Sequence, residues 1–94
     1  MVGIFDEVFA VLEDRKRNPR SDSYVSGLMS EGLNAILRKV EEESAELVLA
    51  AKDGDTSGTI HEATDLLFHM LVLLAYQGIE LEDVRAELRR RRRG

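Results

Sequence analysis

The run LNAILRKVEEESAELVLAAK, Leu33 to Lys52, places Leu33, Ile36, Leu37, Val40, Leu47 and Ala51 on one apolar stripe at helical spacing. It predicts a long helix. Asp53-Gly54-Asp55 reads as the C-cap and turn, and Thr56 or Ser57 as the N-cap of a second long helix. That helix is expected from about Gly58 to Gln77, closed by Gly78. Between Leu66 and Ala75 only His69 is polar, so the segment is expected to be buried nearly all round. A connection this short favours antiparallel neighbours, and the two long helices should form a hairpin.

The flanks are shorter. Upstream, Ile4, Phe5, Val8, Phe9, Val11 and Leu12 recur at helical spacing, with Asp6, Glu7, Glu13 and Asp14 on the other side. Asn18-Pro19 ends this amphipathic helix, because the residue before proline is pushed out of the α region. Ser21, Asp22 and Ser23 offer N-caps for a short helical turn through Tyr24, Leu28 and Met29, which Gly27 and Gly32 should leave weak or irregular. Downstream, Leu81, Val84 and Leu88 mark a last helix. No strand pattern or internal repeat appears. The expected fold is all-α, one domain over residues 1–94, with two long antiparallel helices and shorter flanking ones.

A chain of 94 residues buries only about 60–65% of the surface it exposes when unfolded. It has no cysteine, so neither a disulfide framework nor a thiolate metal site makes up the shortfall. Oligomerisation is the remaining remedy. Pairing two hairpins as a homodimer would complete a four-helix bundle and cover the surplus apolar surface of Leu66 to Tyr76. The first residues carry Asp6 and Glu7 with no basic residue ahead of the apolar positions, unlike a signal peptide. The apolar run Leu66–Tyr76 is about half the length a membrane span needs. A cytoplasmic location is expected.

The net charge of −5 conceals an asymmetry. Residues 85–94 hold six arginines and one glutamate, leaving a net of −10 on residues 1–84. Arg89 to Arg93 complement the dipole at the end of the last helix and should be mostly solvated. The acidic body repels nucleic acid backbones and free nucleotides alike, so neither nucleic acid nor membrane is an expected partner. If it holds a phosphate-rich substrate, a cation must stand between them.

The acids are placed for one. Taking Glu42 as the origin, Glu46, Lys39 and Glu43 lie at about 40°, 60° and 100° around the first long helix. On the second, Glu62 and Asp65 are spaced i, i+3, and His69 follows Asp65 at i+4 on the same face. Taken alone, such a run of glutamates is an ordinary solvated helix face. Asp65 argues for more, since it opens an otherwise uncharged run where a carboxylate without a partner would be costly to bury. Several carboxylates converging on one groove need a counter-charge beyond Lys39. With few imidazoles and no thiols, the set suits Mg²⁺ or Mn²⁺ better than Zn²⁺.

E-E-S-A-E (Glu42 to Glu46) followed by E-A-T-D (Glu62 to Asp65) resembles the EExxE…ExxD signature of the MazG-type all-α nucleotide pyrophosphohydrolases. Within them the chain is most similar to the phosphoribosyl-ATP pyrophosphatase family. The resemblance extends to S-Y-V from Ser23, G-L-N-A-I-L-R-K-V from Gly32, A-A-K-D-G-D from Ala50, D-L-L-F-H-M-L-V-L-L from Asp65 and L-E-D-V-R-A-E-L from Leu81. It implies Mg²⁺-dependent hydrolysis of the α–β phosphoanhydride of phosphoribosyl-ATP to phosphoribosyl-AMP and pyrophosphate, the second step of histidine biosynthesis. It also implies a helical dimer.

By position, Glu43, Glu46, Glu62 and Asp65 would be metal ligands, and Glu42 a ligand or the group orienting the attacking water. Catalysis would then rest on Glu42, Glu43, Glu46 and Lys39. Lys39, His69, Ser23, Tyr24 and Lys52 are the candidate substrate contacts. His69 could instead bond a ligand carboxylate. Each candidate has a plainer reading beside it: Lys39 a structural ion pair, His69 a core histidine, Ser23 an N-cap, Tyr24 a packing aromatic and Lys52 a surface lysine. His61 reads as surface. Glu41 stands where many family members have glycine, and it points away from Glu43. No cyclohydrolase segment is seen, so the next pathway step is expected from another chain. Two other functions stay open on the residues: house-cleaning hydrolysis of nucleoside triphosphates, and a non-enzymatic helical dimerisation module with an acidic groove.

Overall fold

The computed structural model describes residues 3–94. Five helices follow one another: α1 (Ile4–Arg17), α2 (Tyr24–Glu31), α3 (Leu33–Lys52), α4 (Thr56–Tyr76) and α5 (Leu81–Arg91). There is no strand among the described residues. The expected hairpin is α3 and α4, which share the most extensive interface, with α1 packed on α4 and α2 on α3.

Glycine sets the turns where the chain must take a positive φ. Gly54, at φ 70°, follows the C-cap Asp53, and the Asp55 and Gly54 amides donate back to the Ala50 and Ala51 carbonyls. Gly78, at φ 71°, repeats this after α4, with the Ile79 and Gly78 amides bonded to Leu74 and Ala75. Both are Schellman closures, which satisfy the last carbonyls of a helix. Lys16 Nζ adds a bond to the Tyr76 carbonyl at 2.8 Å, tying the end of α1 to the end of α4.

Three local expectations are corrected. The N-cap of α4 is Asp55, whose Oδ1 accepts from the Gly58 amide at 2.9 Å, and Thr56 and Ser57 already lie within the helix. The aspartate wins because its carboxylate both caps and favours the positive end of the helix dipole. Asp55→Ala should therefore cost about 1 kcal/mol, read as a melting temperature lower by several degrees with the helix content retained. Next, α2 is a regular helix despite Gly27, because Ser23 caps it by accepting from the Ser26 amide at 3.1 Å and Val25 and Leu28 are buried. Finally, within the single chain the Leu66–Ala75 run is not buried all round: His69, Leu71, Val72 and Ala75 are buried, while Leu67 and Met70 are exposed as the surplus apolar surface expected to be covered in a dimer.

The core joins Phe9 and Leu12 of α1, Val25 and Leu28 of α2, Ile36 of α3, Leu71, Val72 and Ala75 of α4, and Leu81 of α5. Leu12, Ile36 and Val72 are its most enclosed side chains. At α5, Arg85 bonds Asp6 of α1 at 2.7 Å and Glu82 of its own helix at 2.8 Å. Arg89 pairs with Glu82, and Arg90 and Arg91 pair with Glu87. No single helix among the described residues is long and apolar enough to cross a membrane.

Candidate active site

At about 100° per residue, the Glu62–Asp65–His69 face of α4 lies roughly opposite Thr64, Leu67, Phe68 and Leu71. That second face, with Ile4, Phe5 and Val8 of α1, lines an apolar cleft of about 240 Å³. The acidic face belongs to the hairpin. Glu43 and Glu46 of α3 and Glu62 of α4 each offer a carboxylate oxygen within 4.8 Å of the others. His61, Glu62 and Asp65 form a second group within the same limit, so Glu62 is common to both.

Glu62 carries the signs of crowding. Its Oε2 is buried with no hydrogen-bond partner. The Glu46 carboxyl beside it holds the Glu62 pKa above the ordinary carboxylate value of 4.5, through a shared hydrogen bond first, and burial and the Glu46 and Asp65 charges push the same way. Two carboxylates this close ionise together only when something cationic separates them.

The buried carboxylate is not the one the sequence pointed to. Asp65 keeps 39% of its side chain exposed and lies 3.3 Å from His61 Nε2, whereas Glu43 is only 5% exposed. Asp65 stands half-exposed in the middle of α4, while Glu43 faces across the hairpin to His69. His61 is exposed, as expected, yet it stands at the acidic cluster, a role the sequence reading missed. The signal was present in its i, i+4 spacing to Asp65.

Around Glu43 the polar atoms are matched. His69 Nδ1 lies 3.0 Å from Glu43 Oε1 and 3.0 Å from the Asp65 carbonyl oxygen, and Nε2 lies 2.9 Å from the Tyr24 hydroxyl. Lys39 Nζ is 3.3 Å from Glu42 Oε2 and 3.9 Å from Glu43 Oε1. The hydrogen bond to Glu42 raises the Lys39 pKa, so the ammonium stays charged.

The other expected residues divide. Glu42 is exposed and outside both carboxylate groups, held by Lys39. Glu41 is exposed as well. Ser23 spends its hydroxyl oxygen on the α2 cap. Tyr24 is 57% exposed, against its plainer reading as a packing aromatic, and its hydroxyl is engaged by His69. Lys52 is exposed at the last turn of α3, about 14 Å along the axis from Glu43.

The α3–α4 hairpin thus gathers three carboxylates that could hold a cation in an all-α fold. Comparison with known proteins gives the family. The family described as phosphoribosyl-ATP pyrophosphohydrolase matches residues 5–92, and the chain belongs to that family. It is 50% identical over 91 residues to a phosphoribosyl-ATP pyrophosphatase of Haloarcula marismortui, covering 95% of this chain and 93% of the relative. To those of Methanococcoides burtonii and Methanocella arvoryzae it is 48% and 43% identical, covering 97% and 99% of this chain and 94% and 100% of theirs.

Proposed function

We propose that this chain hydrolyses the α–β phosphoanhydride of phosphoribosyl-ATP, releasing pyrophosphate and phosphoribosyl-AMP in histidine biosynthesis, with Mg²⁺ held by Glu43, Glu46, Glu62 and Asp65. Membership of the family and the names of the relatives support the reaction. The observation that carries the metal site is the gathering of Glu43, Glu46 and Glu62, together with a buried Glu62 oxygen that has no hydrogen-bond partner. The donors are hard oxygens, which fits Mg²⁺, with Mn²⁺ as a substitute.

Mg²⁺ bound there supplies neutralising charge for the phosphates and a water of lowered pKa. The chain's own groups do the rest. Glu42, exposed and outside the cluster with Lys39 beside it, is the group that accepts the proton of the attacking water. Lys39, charged and part-exposed at the rim, meets developing charge on the phosphate oxygens. Tyr24 presents an exposed ring to the nucleotide, and Ser23 fixes the α2 turn that carries it. Lys52 reaches only the far end of a long substrate.

Pyrophosphate release from phosphoribosyl-ATP, measured with Mg²⁺ and with chelator, tests this. Turnover should require Mg²⁺ and should not extend to deoxynucleoside triphosphates assayed in parallel. Hydrolysis of those triphosphates alone would make the chain a house-cleaning hydrolase instead, and no turnover of any would remove the enzymatic reading.

The assembly proposed is a homodimer whose hairpins complete a four-helix bundle. The radius of gyration is 14.5 Å, against about 12 Å for a self-sufficient globule of this length. Ile60, Leu67 and Met70 form an exposed apolar stripe on α4, with Val48 and Leu49 exposed on α3. Sedimentation should give twice the 10.6 kDa chain mass, and Leu67→Glu should give the single chain with its helices retained. A wild-type monomer at micromolar concentration would end this assignment.

A further inference from the structure

The His69 ring joins three elements of the fold. Glu43 Oε1 and the Asp65 carbonyl oxygen both only accept hydrogen bonds, and both lie 3.0 Å from Nδ1. Nδ1 therefore carries a hydrogen whether the ring is neutral or charged. In the neutral ring Nε2 is then a bare acceptor, and the Tyr24 hydroxyl, 2.9 Å away, donates to it. Phe68 and Tyr24 meet the imidazole edge-on, with ring centroids 5.4 and 5.8 Å away. His69 is 6% exposed and neither nitrogen is left for a substrate.

We propose that His69 is a positioning residue that fixes the Glu43 carboxylate for a divalent cation, with the Tyr24 hydroxyl on α2 locking the imidazole in the Nδ1–H form. The assignment rests on the metal-site reading above. Glu43 is the most buried member of its carboxylate cluster, and its closest basic neighbour is His69, with Nδ1 3.0 Å from Oε1. Its orientation is thus set from 26 residues away in sequence, and Tyr24, 45 residues from His69, sets the donor. Hydrogen bonds that orient a ligating carboxylate commonly change metal affinity or activity by about 10–100-fold when lost. The chain also links α2, which carries the exposed Tyr24 ring, to the floor of the acidic site.

The test uses Mn²⁺ titrated into metal-free protein, followed by the paramagnetic resonance of free Mn²⁺, with pyrophosphate release measured alongside. Asparagine places an amide nitrogen where Nδ1 lies, and glutamine places one near Nε2. His69→Gln should weaken Mn²⁺ binding by about 10–100-fold, while His69→Asn, which keeps the donor to Glu43, should stay close to wild type. A merely structural histidine would make both variants fall alike. That result, or wild-type affinity in His69→Gln, overturns the assignment. Tyr24→Phe leaves an exposed ring in place and folds regardless of the core. It should bind Mn²⁺ more weakly than wild type, and equal affinity overturns the locking role. Wild-type protein that binds no Mn²⁺ overturns the metal site and this assignment together, whereas equal binding by wild type and His69→Gln overturns this assignment alone.

Discussion

Glu62→Gln should abolish pyrophosphate release and yield a metal-free protein that melts at a higher temperature than wild type. Glu62 belongs to both groups of candidate ligands, so no other single substitution removes as much of the cluster. A metal's stabilisation of the transition state amounts to several kcal/mol, and tenfold in rate is about 1.4 kcal/mol, so the loss should be about a thousandfold or more. The gain in heat stability comes from the same crowding. Glutamine removes one negative charge beside Glu46 and offers that carboxylate an amide donor in place of a shared proton.

The sign with pH follows. A carboxyl whose folded pKa is raised gives stability that is present below the ordinary 4.5 and lost as pH rises through the folded value. The metal-free wild type therefore weakens over that range, Glu62→Gln does not, and the gap in melting temperature should widen from pH 4.5 upward. Mg²⁺ should raise the melting temperature of wild type at pH 7 and leave the variant unmoved. Near-wild-type turnover in Glu62→Gln, with an unchanged response to Mg²⁺, would remove Glu62 from the site.

Ile36→Ala should produce the largest loss of stability. Ile36 is fully enclosed, and it is the only apolar side chain of α3 counted in the buried core. Truncating an enclosed isoleucine costs about 2–5 kcal/mol, through lost burial and the cavity left behind. Small domains have only about 5–15 kcal/mol in total. With about 4–8 °C of melting temperature per kcal/mol at this size, the variant should melt at least about 8 °C lower and lose activity through unfolding. The exposed Leu49, on the same helix, provides the control: Leu49→Ala should leave the melting of the isolated chain almost unchanged. Equal effects at the two positions would contradict the core described for α3.

The sequence alone decided the local matters. Periodicity and turn chemistry located the hairpin, Asn18-Pro19 and Gly78 marked helix ends, and the spacing of Glu43, Glu46, Glu62 and Asp65 put the acids on single helical faces. It went astray wherever a neighbour had to be known. Asp55 outcompeted Thr56 and Ser57 as a cap, Glu43 was buried rather than Asp65, and within the single chain Leu67 and Met70 were left bare on the apolar run Leu66–Ala75. A helical wheel gives the angle of a residue about its own axis, but not the rotation of that axis against the next helix. That rotation, set by how Ile36, Val72 and Leu12 interlock in the core, decides which carboxylate is enclosed. It also brings Tyr24, His69 and Glu43 into one line of close polar contacts, between distant residues that spacing along the chain does not encode.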